Sequence, residues 1–148
     1  KTNFHPVRFP DLDTTLIGMR APAYENSKQV NDYWTSVVGN VSAASHTKLI
    51  LVGDLNAEPG SPRSIGGEHL CALLAQGWKI PTAPEPWSYI SSDGKHTSKV
   101  DHLVASPAIG AVSASYITET GGATVAGRNT QNPVSDHAIL LCEVEVER

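Results

Sequence analysis

The stretch Lys48–Gly53, KLILVG, is a continuous apolar run that stops at a glycine and is followed at once by Asp54, Leu55 and Asn56. An unbroken run of this length is the pattern of a strand covered on both faces. A chain that contains it must supply a layer on each side. The run also delivers a carboxylate and an amide to the end of a buried strand. Residues two apart in extended chain point to the same side, so Asp54 and Asn56 are expected to project together. The alternative is that Asp-Leu-Asn simply opens a turn, since Asp and Asn favour turns.

The rest of the chain alternates predicted strands and helices. Thr14–Ala21 is β-branched and apolar and reads as a strand. Val30, Tyr33, Trp34, Val37, Val38 and Val41 fall at three-four spacing, which predicts an amphipathic helix from about Ser27 to Ala44, capped by Asn26 or Ser27. Gly60–Gly67 reads as a loop, and Gly67–Gly77 as a short helix ended by Gly77. Trp87–Ser91 and Thr97–Ser106 read as two strands around a Ser-Asp-Gly-Lys turn. Ala111–Thr118 is a further strand, Gly121–Pro133 a polar loop, and Ala138–Glu147 a closing strand whose alternation marks one wet face. Lys1–Asp13, with Pro6 and Pro10, is expected to be irregular. The order β-α-β-α followed by mostly β predicts an α/β (α+β) sandwich, and 148 residues suit a single domain over 1–148.

Composition narrows the function classes. The net charge is −4, which excludes a general polyanion binder and requires any nucleic-acid contact to be local or metal-assisted. No segment reaches transmembrane length. Cys71 and Cys142 sit in apolar runs and are expected to be buried free thiols rather than a disulfide or a zinc site.

Two more polar interruptions stand out. Asp101 breaks an apolar strand in SKVDHLVAS, and a charge there must be exposed on an edge, paired or functional. Asp136 and His137 immediately precede the last strand in PVSDHAILL. They either cap that strand or serve chemistry, since Asp is a hard oxygen ligand and His exchanges protons near neutral pH.

Taken in order, a strand ending in Gly-Asp-Leu-Asn, a later Val-Asp-His strand and a final Ser-Asp-His resemble the endonuclease/exonuclease/phosphatase family. This family includes the DNase I-like nucleases, abasic-site endonucleases, inositol phosphatases and non-LTR retrotransposon endonucleases. The stretch PWSYISSDGKHTSKVDHLVAS is most similar to the retrotransposon-type members. The resemblance runs from about Thr14 to Val146 and implies a DNase I-like sandwich that hydrolyses phosphoesters with Mg²⁺ or Mn²⁺. It implies that Asp54 activates the attacking water and that Asn56 orients it and contacts the phosphate. Asp101 would hydrogen-bond the catalytic His137 and fix its tautomer, His137 would lie against the phosphate, and Asp136 would bind the metal. Arg20 stands where the family places a phosphate-contacting Tyr or His.

The resemblance also implies a first half, with an Asn strand and a metal-binding Glu strand, that has no counterpart in this sequence. Glu58 follows the turn and does not take that place. The uncovered sheet face is therefore expected to meet a second chain, a second copy or altered packing, with a fragment or one chain of a two-chain domain favoured. Three functions stay open: a Mg²⁺-dependent nuclease acting on DNA or RNA, a non-catalytic interaction module, and a phosphatase of phosphoinositides or small phosphate esters. Arg20, Arg63, Lys95, Lys99 and Arg128 are the candidate basic residues near the site.

Overall fold

The computed structural model describes residues 3–23, 26–61, 64–128 and 132–147. Its main sheet has four strands in the order β1-β2-β3-β6. These are β1 (Asn3–Phe9), β2 (Thr14–Arg20), β3 (Lys48–Asp54) and β6 (Asp101–Ala105). β1 and β6 run antiparallel to their neighbours, whereas β2 and β3 are parallel. Parallel strands need a crossover, and α1 (Ser27–Ala43) makes it. Its start is fixed by a capping box, in which the Asn26 side chain accepts the Gln29 N–H and the Gln29 side chain accepts the Asn26 N–H. The second helix, α2 (Ile65–Ala75), packs beside α1.

KLILVG is sandwiched as its composition demands. Leu49 and Leu51 join Met19, Trp34, Val37, Leu70 and Trp78 in the core under the helices. On the opposite face Ile50 and Val52 join Leu103 and Ala105 against Val112, Cys142 and Val144. The latter come from a second, two-stranded antiparallel sheet of β7 (Val112–Ile117) and β10 (Ile139–Val144). The hairpins β4 (Tyr89–Ile90) with β5 (Thr97–Ser98), and β8 (Glu119–Thr120) with β9 (Ala123–Thr124), complete the strands.

Several expectations need correction. Residues 3–9 form a strand rather than irregular chain. β1 is an edge strand, where a proline such as Pro6 removes no needed ladder bond. The segment expected as one strand over Thr97–Ser106 breaks into β5 and β6, because it pairs first with β4 and then with β3. α2 starts at Ile65 rather than Gly67, since the Ser64 hydroxyl caps it by accepting the Gly67 N–H. The loop after β7 opens with the β8–β9 hairpin, whose turn residues Gly121 and Gly122 have positive φ. Both cysteines are free, but Cys71 is exposed and Cys142 only half-buried.

The glycine that ends KLILVG has a geometric reason. Gly53 has φ +139, and a Cβ there would lie 2.2 Å from the Met19 carbonyl oxygen. That clash is forbidden to any other residue. The close approach of β2 and β3 sets Arg20 directly opposite Asp54 in the register. Sheet coverage is uneven: Val7 and Phe9 on β1 are 48% and 43% exposed, and Ile139 and Leu141 on the outer face of β10 are also exposed.

Candidate active site

The end of β3, the start of β6 and the lead into β10 converge on a cavity of about 610 Å³ lined by Arg20, Asp54, Asn56, Tyr89, Asp101, Asp136 and His137, with Ser98 and Ser135 at its edge. Asp54 and Asp101 are register partners on adjacent antiparallel strands. Ligand atoms of Asp54, Asp101 and His137 lie within 4.8 Å of one another, a grouping able to hold a metal ion. His137 Nδ1 is 2.9 Å from Asp101 Oδ2. Asp101 is only 8% exposed, so a carboxylate at the edge of the sheet is turned inward and paired rather than solvated. With the carboxylate as acceptor, Nδ1 carries the proton and Nε2 is left as the ring's exchangeable position.

Both oxygens of Asp54 are held. Its Oδ1 accepts the Asn56 N–H at 3.1 Å, and its Oδ2 lies 3.2 Å from Arg20 Nε. Burial, and then repulsion from Asp101, nevertheless push its carboxyl above the usual range, against the lowering effects of the Asn56 N–H, His137 and Arg20. A carboxylate held at such a cost is a candidate for proton transfer or cation binding.

Asn56 reaches the site by a different route from the extended-chain argument. β3 ends at Asp54, and Asn56 has φ 45, in the left-handed region. Asn tolerates that conformation better than most residues. Its Nδ2 donates to the Ala21 carbonyl at 2.8 Å, which ties the turn to the end of β2. The loop is further pinned by His102 on the other face of β6. The buried His102 ring places Nε2 2.9 Å from the Ala57 carbonyl and 2.8 Å from that of Lys99, and burial lowers its pKa below the ordinary value.

His137 is positioned by its neighbours. Its N–H donates to Ser135 Oγ at 2.9 Å, and Ile90 N–H donates to the Asp136 carbonyl at 3.0 Å. The segment therefore lies along β4. Tyr89, not among the residues named from the sequence, packs its ring 5.0 Å from that of His137. Its signal was present in the aromatic strand Trp87–Ser91. Asp136 lines the same cavity but is exposed and is not among the mutually close ligand atoms. Lys99 instead donates to the Ala83 carbonyl. Arg128 is exposed, and Arg63 lies outside the described residues.

The donor set tests well for a hard divalent cation. Carboxylate oxygens predominate, and two of them face each other at a cost that a cation relieves.

The sequence matches the endonuclease/exonuclease/phosphatase family over residues 2–137. No curated protein matches it. Among solved structures, the endonuclease domain of TRAS1, a telomere-specific non-LTR retrotransposon, superposes with a TM-score of 0.60 at 16% identity, covering 98% of this chain and 70% of that one. A mannosyl-6-phosphatase from Bacteroides thetaiotaomicron gives 0.58 at 14% identity, covering 88% of this chain and 51% of that one. A family protein from Beutenbergia cavernae gives 0.55 at 13% identity, covering 97% and 38%. The chain thus spans about half the length of the phosphatase and less of the Beutenbergia protein. At these identities the likeness establishes the DNase I-like fold, and the family match establishes membership: this chain belongs to the endonuclease/exonuclease/phosphatase family.

Proposed function

We propose that this chain carries the greater part of the active site of a divalent-metal-dependent phosphodiesterase, most specifically a nuclease acting on DNA or RNA. The observation that carries this reading is the convergence of Asp54, Asp101 and His137 in a cavity that Arg20 and Asn56 also line. Phosphodiester hydrolysis needs an oriented water and neutralisation of charge building on the phosphoryl oxygens. Asp54 accepts the proton of the attacking water, and the Asn56 amide orients that water and the phosphate. His137, held through its Nδ1–H by Asp101, donates from Nε2 to the phosphoryl oxygens once the ring carries its second proton. Arg20 adds a guanidinium to the same oxygens, which suits the forked geometry of phosphate.

The Asp54 carboxylate, beside Asp101, would hold the Mg²⁺ or Mn²⁺, with Asp136 on the wall of the same cavity as a further ligand; the ion would supply charge neutralisation at the phosphate when bound. The exposed apolar residues Phe4, Val7 and Phe9 of β1 support a covering layer from a second chain or a second copy.

The test is hydrolysis of supercoiled plasmid and bis(p-nitrophenyl) phosphate with Mg²⁺ or Mn²⁺, with the full chain alone and with its covering partner. Loss of cleavage in Asp54→Ala and His137→Ala is expected. Unchanged activity in both variants sinks the reading. A phosphatase of phosphoinositides or small phosphate esters is the second reading, permitted by the net charge of −4 and supported by the likeness to a mannosyl-6-phosphatase. Preference for p-nitrophenyl phosphate over both diesters selects it.

A further inference from the structure

Ser88 is fully buried, and none of the roles above uses it. It lies just before β4, where chain segment 97–105 changes partner: Thr97–Ser98 pair with β4, and Asp101–Ala105 pair with β3. At such a change, consecutive backbone N–H groups lose their ladder acceptors, and a buried N–H without one is costly. Ser88 Oγ takes both, accepting the Val100 N–H at 2.9 Å and the Asp101 N–H at 3.1 Å. The Ser88 N–H donates to the Ser98 carbonyl at 2.9 Å, and the Ser88 carbonyl accepts the Ala138 N–H at 2.7 Å. One residue therefore holds the backbone that bears Asp101 and the backbone adjoining His137.

We infer that Ser88 is a positioning residue that sets the hydrogen bond between Asp101 and His137. Its effect on rate rests on the proposed catalytic role of that pair; its effect on geometry does not. A hydroxyl is required because its oxygen accepts both N–H groups, which an alanine methyl does not. Ser106 provides a matched comparison. It is also fully buried and sits at the opposite end of β6, where its Oγ accepts the Leu49 N–H at 3.1 Å and donates to the Thr47 carbonyl at 2.6 Å. Removing either hydroxyl breaks two hydrogen bonds to buried backbone, but only Ser88 adjoins the pair.

The experiment reads the His137 ring nitrogens by NMR in the full chain labelled with ¹⁵N-histidine, at fixed pH, with His137→Gln for assignment. The wild-type ring is expected to show the Nδ1-protonated form. Ser88→Ala should shift it to a mixture of tautomers, and Ser106→Ala should leave it unchanged. The inference is overturned if Ser88→Ala leaves the signals in place, or if Ser106→Ala moves them as far. Should Ser88→Ala not fold, Ser88→Cys, close in size but a weak acceptor, takes its place with the same two outcomes. In the diester assay, Ser88→Ala should lower kcat on the order of tenfold with KM little changed, and Ser88→Thr should restore it. If His137→Gln costs no activity, the catalytic reading fails while the ring-nitrogen result still decides the role of Ser88.

Discussion

Asp101 and His137 stand 36 residues apart and meet across the gap between the two sheets, with Nδ1 and Oδ2 2.9 Å apart. The junction is fastened a second time, because Tyr116 of the second sheet donates its hydroxyl to the Asp101 carbonyl at 2.7 Å. Asp101→Asn keeps the size of the side chain but removes its negative charge and turns one acceptor oxygen into an NH₂ donor, so the side chain no longer selects one tautomer of His137. It is expected to lower kcat on the order of 10²- to 10⁴-fold, the usual contribution of a positioned acid or base. Steady-state kinetics with circular dichroism checks this; a variant with full activity refutes it.

Asp54 predicts a split between stability and activity. Its folded carboxyl titrates above the ordinary value because of burial and Asp101. The folded state therefore binds the proton more tightly than the unfolded state. Stability falls as pH rises from the ordinary value through the folded one, and the deficit persists at neutral pH. Asp54→Asn should abolish hydrolysis yet unfold at higher denaturant than wild type at about pH 7. The advantage should disappear near pH 3, where the carboxyl is protonated in both states. Equal midpoints at neutral pH would contradict this account.

His102 predicts the opposite pH trend. Burial depresses its folded pKa, so the unfolded chain takes up the proton first. Its stabilising contribution is complete above the ordinary value of about 6.5 and is lost as pH falls from there through the folded value. His102→Gln removes the titration. The stability lost between about pH 7.5 and about pH 5 should be smaller in this variant than in wild type, as measured by urea unfolding. The same slope in both proteins would rule it out.

Gly66, in the first turn of α2, is a packing prediction. A Cβ there would lie 2.4 Å from Trp34 Nε1 and 2.7 Å from the Ala57 Cβ. Trp34 and Ala57 are both buried, so neither has free space to retreat. Gly66→Ala should destabilise the chain by about 1–3 kcal/mol through overpacking. Because Ala57 follows Asn56, activity should fall as well. Thermal unfolding decides it, and a gain in Tm would mean the helices part without strain.

The sequence made legible those parts of the fold that depend on local pattern. α1 shows its three-four spacing and its Asn26 cap, and β3 shows its double burial. β1 was hidden because Pro6 signals irregular chain unless one knows that the strand lies on an edge. The break at Lys99–Val100 was hidden for a related reason: it arises from an exchange of partners between β4 and β3, which are distant in sequence. At the site, Asp54, Asn56, Asp101, Asp136 and His137 could all be named from motifs, and all line one cavity. Asn56 arrives by the turn alternative rather than by continued strand, since its backbone is left-handed. The buried partners Ser88 and His102 carry no motif of their own. Their meaning lies in carbonyl and amide groups that only the folded chain gathers.

The seam at Gly53 divides the site into a part that cannot vary and a part that can. Between β2 and β3 no side chain fits, because the Met19 carbonyl occupies the place where one would begin. At the rim, Arg20 and Asp136 are exposed and could be exchanged with little cost to packing. A scaffold of this kind can keep the placement of Asp54 fixed while the rim beside it varies. One fold thereby leaves room for different chemistry at its rim without moving its interior.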